Sequence, residues 1–331
     1  MAKFLVTGGA GFIGSHVVET LLEVGHTVRV LDDLSTGRLG NLRAIRQDVE
    51  FLQGSVTDRA TVQSALRDVE VCIHLAALPS VQRSVEDPLT SHETCATGTL
   101  QVLEAARHAN TRRVVYAASS SAYGETPGSV RTETDPVAPM SPYAIAKLAG
   151  EQYCRCFTRL YGLETVCLRF FNIFGPRQDA KSPYSGVIAQ FLAQMSAGRA
   201  PTIYGDGLQS RDFTYVGNAV QAVLCAARSP AAVGKVYNIG TGGTVSVLTL
   251  VEELNQLLGT ALQPVHKPAR AGDVRHSQAD ISQAQQDLGY QPTISFRQGL
   301  RRTLAGFTGT AAPDSHPADR GIAVCAQLQG V

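Results

Sequence analysis

Tryptophan is absent from the 331 residues, methionine occurs only three times, and aromatic residues make up just 6% of the chain. Charged residues are also few, at 17%, and nearly balanced, leaving a formal net charge of +1. A chain so close to neutral carries no electrostatic footprint for nucleic acid or for an anionic membrane surface. A negatively charged ligand would therefore have to be held by local groups. No apolar run approaches the ~20 residues needed to span a bilayer. The chain enters Lys3-Phe4-Leu5-Val6-Thr7-Gly8 at once, which leaves no room for a secretory leader. The seven cysteines (Cys72, Cys95, Cys154, Cys156, Cys167, Cys225 and Cys325) are odd in number and never spaced C-x-x-C. Most stand among apolar neighbours, as small buried hydrophobes do in a reducing compartment. Cys154 and Cys156 have no second ligand pair at metal-site spacing, so no metal is expected. These absences describe a cytoplasmic protein with no nucleic-acid or membrane partner.

What is present is a rhythm. Phe4-Leu5-Val6 is followed by a glycine turn and by apolar residues at helical spacing (Ile13, Val17, Leu21, Leu22) ending at Gly25. Further strand-like runs are Val28–Leu31, Phe51-Leu52, Val71–Leu75, Val114–Ala118 and Thr165–Leu168, with helical segments at about 91–109 and 142–161. Strands that are apolar throughout and alternate with helices predict an α/β fold with a doubly wound parallel sheet covered on both faces. Beyond about residue 172 the rhythm loosens into Gly- and Pro-rich loops, the setting for a smaller substrate lobe. The expected division is a Rossmann-type domain over 1–171, a mixed α/β lobe over 172–306 and a tail of unassigned role over 307–331. Segments around 212–240, including the strand-like Val236–Ile239, are expected to return to the first domain.

The turn Thr7-Gly8-Gly9-Ala10-Gly11-Phe12-Ile13-Gly14 lies between the first strand and the first helix. Gly8 and Gly11 let the backbone turn tightly and approach a pyrophosphate at the helix N-terminus, and Gly14 permits close helix–sheet packing. Asp32 ends the second strand, where a carboxylate accepts hydrogen bonds from the adenosine ribose and repels a 2′-phosphate. Asp33 strengthens the preference for NAD over NADP, whereas Arg38 offers a cation that would favour NADP.

Ser141-Pro142-Tyr143-Ala144-Ile145-Ala146-Lys147 has the form of a helix start, with Ser141 as N-cap and Pro142 at the first helical position. Tyr143 and Lys147 then share a face. An ammonium near the phenol, helped by a positive nicotinamide, is expected to lower the phenol pKa towards neutrality. A tyrosine so tuned takes the proton of a sugar hydroxyl as hydride leaves the same carbon. Tyr-x-x-x-Lys alone is a common pattern. Here the strand Val114–Ala118 also runs into Ser119-Ser120-Ser121-Ala122-Tyr123-Gly124, at the sheet edge where such folds bind ligands.

In order along the chain, the glycine loop, Asp32, His74-Leu75-Ala76-Ala77, SSSAYG, SPYAIAK and Arg169-Phe170-Phe171-Asn172-Ile173-Phe174-Gly175-Pro176 resemble the motifs of extended short-chain dehydrogenases/reductases, up to about residue 306. The resemblance implies tightly bound NAD, a lobe for a nucleoside diphosphate sugar, and a homodimer through the helices at about 91–109 and 142–161. It assigns proton handling to Ser119, Tyr143 and Lys147, with Ser121 as a supporting hydroxyl. Besides the glycine loop with Phe12 and Ile13, and besides Asp32 and Asp33, it implies cofactor contacts at Ser35, Gly37, Ser55 and Val56. Leu75, Ala76, Ala77, Thr94, Tyr143, Lys147 and Phe171 complete that set.

Within the family, 4,6-dehydratases carry an Asp-Glu pair after the serine, and sugar decarboxylases a glutamate. Ser120 and Ser121 can do neither job, which leaves oxidation at C4, rotation of the keto sugar and return of hydride to its other face. By the same resemblance Asn172, Arg211 and Arg270 would contact the diphosphate, and Asp273 the uridine ribose. Two guanidinium forks answer two phosphates. Ser277 matches a position that limits room beside the sugar C2 group. Its small size is similar to that in UDP-N-acetylglucosamine 4-epimerases and implies tolerance of acetamido sugars beside UDP-glucose and UDP-galactose. A UDP-glucuronate 4-epimerase remains an alternative, with Arg177 and Lys181 as candidate cations for the C6 carboxylate. So do another nucleotide-sugar oxidoreductase and a non-catalytic NAD-sensing protein.

Overall fold

The structure, a computed structural model, describes residues 2–125, 128–179, 186–269 and 274–309. Seven parallel strands form the main sheet: β1 (Lys3–Thr7), β2 (Thr27–Asp32), β3 (Val49–Gln53), β4 (Val71–His74), β5 (Arg113–Ser119), β6 (Glu164–Phe170) and β7 (Val236–Ile239). Their order is β7-β6-β5-β4-β1-β2-β3, a doubly wound arrangement. Alternation along each strand fills two cores. Phe4, Val6, Val71, Ile73 and Val115 face one side, and Leu5, Cys72, Val114 and Tyr116 the other.

Helices α1 (Phe12–Glu23) and α4 (Val216–Arg228) cover the first face with Val17, Leu21, Val220 and Val223. Helices α2 (Gly98–His108) and α3 (Pro142–Tyr161) cover the second with Val102, Leu103, Cys154 and Phe157. Helix α3 starts where Ser141 accepts a hydrogen bond from Ala144 N–H and stops at Gly162 in the left-handed conformation (φ 72°). A short helix (Pro88–His92) and a π-helical turn (Glu93–Thr97) lead directly into α2. Five of the six described cysteines are buried, as expected of most of them, and Cys156 is the exception. It is exposed, because two residues along α3 from buried Cys154 the helix presents its opposite side. Cys325 lies outside the described residues, as does the tail from 310 onward.

Four short strands, Val245–Ser246, Ser210–Arg211, His276–Ala279 and Val130–Arg131, form a second sheet in that order. Its last strand comes from the first half of the chain, so the lobe and the Rossmann layer interleave in sequence. Buried polar groups join the two. Asn238, on β7, accepts from the Tyr123 hydroxyl at 2.6 Å and donates to the Arg131 carbonyl at 2.8 Å. Asp212 is wholly buried, and its carboxylate accepts from the N–H and hydroxyl of Thr241 and from Gly242 N–H. Burial raises its pKa, and the donors from 241 and 242 oppose that rise.

Beneath the sheet edge, Arg169 and Glu151 form a bidentate pair at 2.9 and 2.7 Å, both buried. Burial disfavours the Arg169 cation, but the Glu151 carboxylate overrides it and holds the pKa above its ordinary value. Replacing Glu151→Gln should therefore strand a buried charge and cost about 3–5 kcal/mol. Urea unfolding should show a lower midpoint at unchanged slope.

Candidate active site

The cofactor end is built by backbone proximity. Gly8 has φ 70°, and a Cβ there would lie 2.9 Å from the Ala76 nitrogen. A Cβ on Gly14 would meet the Gly8 carbonyl oxygen at 2.1 Å. Only glycine permits α1 to sit this close to the turn after β1. The α1 N-cap, Gly11, brings no side chain to the first helical N–H groups, which leaves a site suited to a phosphate. Asp32 is buried at the end of β2, with Oδ2 accepting from Ala10 N–H (2.9 Å) and Oδ1 from Leu34 N–H (2.8 Å). Burial raises its pKa against those two donors. Gly37 closes over it, since a Cβ would stand 2.6 Å from Oδ1. Asp33 accepts from the Ser35 N–H and hydroxyl at 2.9 and 2.6 Å.

Ser55 and Val56 follow β3. The Ser55 hydroxyl meets that of Thr57 at 2.9 Å, and Val56 is buried against Gly98. Arg38, the residue that would favour NADP, instead forms an ion pair with Asp179. A backbone cradle closed to any Cβ and a carboxylate at the end of β2 fit a dinucleotide.

At the reacting end, Ser119 closes β5. Its Oγ accepts from Ser121 N–H (3.2 Å) and lies 2.8 Å from the Ser121 hydroxyl. Tyr143, near the start of α3, is half-buried in a small cluster with Ala77, Cys95 and Ala146. Burial, then Cys95, raise the phenol pKa, against a hydrogen bond with Ser119 that lowers it. In the polypeptide alone the apolar cluster outweighs the hydrogen bond with Ser119, so the lowering expected from Lys147 and a positive nicotinamide together is not supplied by the polypeptide by itself. Lys147 is buried one turn along, its Nζ 4.3 Å from the centre of the Tyr116 ring. Burial lowers its pKa, while the thiols of Cys95, Cys154 and Cys167 raise it. No carboxylate pairs with it among the described residues.

His74 and its partners carry a constraint that sequence reasoning missed. Ala76 N–H donates to Thr7 Oγ1 (3.2 Å), which lies 2.7 Å from His74 Nδ1, and His74 Nε2 lies 3.0 Å from Thr99 Oγ1. Thr99 spends its own proton on the Cys95 carbonyl at 2.6 Å, so His74 carries its proton on Nε2. The chain of bonds ties the glycine-loop strand to the π-helical turn that holds Cys95 beside Tyr143 and also contains Thr94. The signal was a histidine inside an apolar strand, in register with Thr7.

A cleft of about 280 Å³ is lined by Asn172, Gln178, Phe191, Tyr204 and Arg211 among others. Arg211 donates to the Ser210 and Arg275 carbonyls and pairs in register with half-buried Ser277. No hydrogen bond joins Ser277 to Ser119 or Tyr143 among the described residues. Phe171 is buried in the core beside Tyr123. Arg177 turns away from the cleft and pairs with Glu19 on α1 at 2.9 Å, which removes it as a candidate for a sugar carboxylate. Arg270, Asp273 and Lys181 lie outside the described residues.

Residues 4–240 match the model of the NAD dependent epimerase/dehydratase family. The chain belongs to this family. The UDP-glucose 4-epimerase of Mycolicibacterium smegmatis is 40% identical over 310 residues, covering 92% of this chain and 98% of that protein. A UDP-N-acetylglucosamine 4-epimerase from Methanobrevibacter ruminantium M1, solved with UDP-N-acetylmuramic acid, superposes with a TM-score of 0.89 at 36% identity over 93% of this chain and 98% of that one. The Thermus thermophilus UDP-glucose 4-epimerase, solved with NAD, gives 0.85 at 36% identity over 93% and 100%. As in this family, the cofactor of the chain is NAD.

His74 makes a testable electrostatic statement. Burial first, and then Lys147, depress its pKa from 6.5 to about 3. Between those values the unfolded chain takes up a proton that the folded chain refuses, so folding stability falls as the pH drops through this window. Unfolding free energies from pH 7.5 to 4.5 should decline less steeply for His74→Gln than for the unsubstituted protein. Equal slopes would remove His74 as the source.

Proposed function

We propose that the chain is an NAD-dependent UDP-hexose 4-epimerase acting on UDP-N-acetylglucosamine and UDP-N-acetylgalactosamine as well as on UDP-glucose and UDP-galactose. The observation that carries this reading is the gathering of Ser119, Tyr143 and Lys147 at the end of β5, with Ser120 and Ser121 where an eliminating enzyme would need carboxylates. NAD supplies a reversible hydride acceptor for the sugar carbon. Tyr143 takes the O4 proton and later returns it, with Ser119 relaying through its bond to the phenol. The buried Lys147 ammonium favours the phenolate when the proton must leave, and the positive nicotinamide adds to it. Asn172 and Arg211 are proposed to hold the diphosphate, with Arg270 and Asp273 contributing from their segment. Small Ser277, beside Arg211, leaves room at C2.

The acetamido substrates are further supported by the likeness to a UDP-N-acetylglucosamine 4-epimerase. The glucuronate alternative loses Arg177 to Glu19. A homodimer is supported by exposed apolar side chains, Leu89 (81%) on the short helix that leads into α2 and Leu160 (66%) on α3. No helix of the described residues is long and apolar enough to cross a membrane. Six free cysteines among the described residues support a reducing, cytoplasmic setting.

Proton NMR should show galacto-configured product from UDP-glucose and from UDP-N-acetylglucosamine with no cofactor added. Tyr143→Phe should lower kcat by roughly 10²–10⁴ while UDP-sugar binding persists. Ser277→Tyr should abolish turnover of the acetamido sugar and spare UDP-glucose. Conversion of UDP-glucuronate alone would reject the proposal, and unchanged acetamido turnover in Ser277→Tyr would reject the role of that residue.

A further inference from the structure

Lys147 acts on Tyr143 only as a cation, yet it is buried and faces no carboxylate among the described residues. The titratable groups packed against it are His74 on β4, Cys95 on the π-helical turn, Cys154 on α3 and Cys167 on β6. None of these offers a ready negative charge. What meets the ammonium is a ring: Nζ stands over Tyr116 on β5, 4.3 Å from its centre.

The ring is itself held in place. Tyr116 is in register with His74 on the neighbouring strand, and the two rings stack with centres 5.7 Å apart at 30°. The Tyr116 hydroxyl donates to the Lys147 carbonyl at 3.1 Å. That bond requires glycine at residue 150, where a Cβ would stand 2.3 Å from the hydroxyl oxygen. One tyrosine thus grips both the backbone of Lys147 and the end of its side chain. Burial first, then the thiols of Cys154 and Cys95, hold the Tyr116 phenol well above its ordinary pKa. The ammonium therefore meets a neutral π face and not an oxyanion. A cation over an aromatic face gains most where water is excluded. A buried carboxylate would also support the charge, but it would cancel the field that the cation exerts on the Tyr143 phenol. A neutral ring leaves that field intact.

We propose that Tyr116 is a positioning residue for the reaction, its ring face holding the Lys147 ammonium by a cation–π contact while its hydroxyl fixes the Lys147 backbone. This rests on the proposed function.

Phenylalanine analogues at position 116 of the full chain test the contact. Tyr116→Phe removes the hydroxyl and keeps the π face. Mono-, di- and trifluorinated phenylalanines at the same position then drain that face of electron density at nearly constant shape. Lys147, labelled with carbon-13 at Cε and identified by the signal lost in Lys147→Met, is followed by NMR as the pH is raised. It should lose its proton at lower pH with each added fluorine, by about one unit across the series. The pH profile of kcat/KM for UDP-glucose should narrow in step. Its acid limb moves up, because a weaker ammonium favours the Tyr143 phenolate less, and its alkaline limb moves down with Lys147 itself. A Lys147 titration that stays put across the fluorinated series would overturn the inference and leave the proposed function standing. A titration that shifts in a protein unable to convert any UDP-sugar would overturn the proposed function, and with it the part of Tyr116 in the reaction.

Discussion

The closeness of α1 to the turn after β1 is the constraint on which the rest depends. With no room for a Cβ on Gly14 against the Gly8 carbonyl, the helix is laid directly on the sheet, its N-terminus at the carboxyl edge of the strands. The same turn supplies the Ala10 N–H that orients Asp32, and places the Gly8 backbone against Ala76. Further along, the side chains of His16 and Glu19 fasten the segment that lines the cleft with Asn172 and Arg211. Loosening one helix–turn contact would disturb the cofactor cradle, its acid and the segment beside the cleft together.

Burial sets the electrostatics at the reacting end. Tyr143 is pushed towards its neutral phenol and Lys147 away from its charge, both by desolvation before any other cause. A site of this kind is poised for charge to be brought in with its ligands. A cation arriving beside the phenol is felt strongly where little water screens it. Cys95, held in place by the His74–Thr99 hydrogen bonds, belongs to this apolar wall and not to the proton path.

Most of the sheet was legible because parallel strands buried on both faces leave uninterrupted apolar runs, and because the glycine loop, Asp32 and the Ser–Tyr–Lys set lie in short, ordered motifs. Other features were not local. Val130–Arg131 joins a sheet whose other strands come from after residue 200, and no periodicity in two residues announces that. Asp212 follows the expected diphosphate contact Arg211, yet its carboxylate is spent on Thr241 and Gly242, because a buried acid takes backbone donors that only the folded chain gathers. The direction of the Tyr143 shift likewise depends on how deeply the phenol is packed, which spacing along a helix cannot report. Arg38 and Arg177 were available cations in the sequence, and the fold pairs each with a carboxylate from a distant segment.

The central claim is that one set of residues removes and restores hydrogen at the same sugar carbon within a single closed site. The most direct measurement is to incubate the protein, without added cofactor, with UDP-glucose carrying deuterium at C4, and to follow the product by NMR in ordinary water. The account predicts UDP-galactose that retains the deuterium at C4. Galacto product with the label lost to solvent, or no galacto product at all, would contradict it.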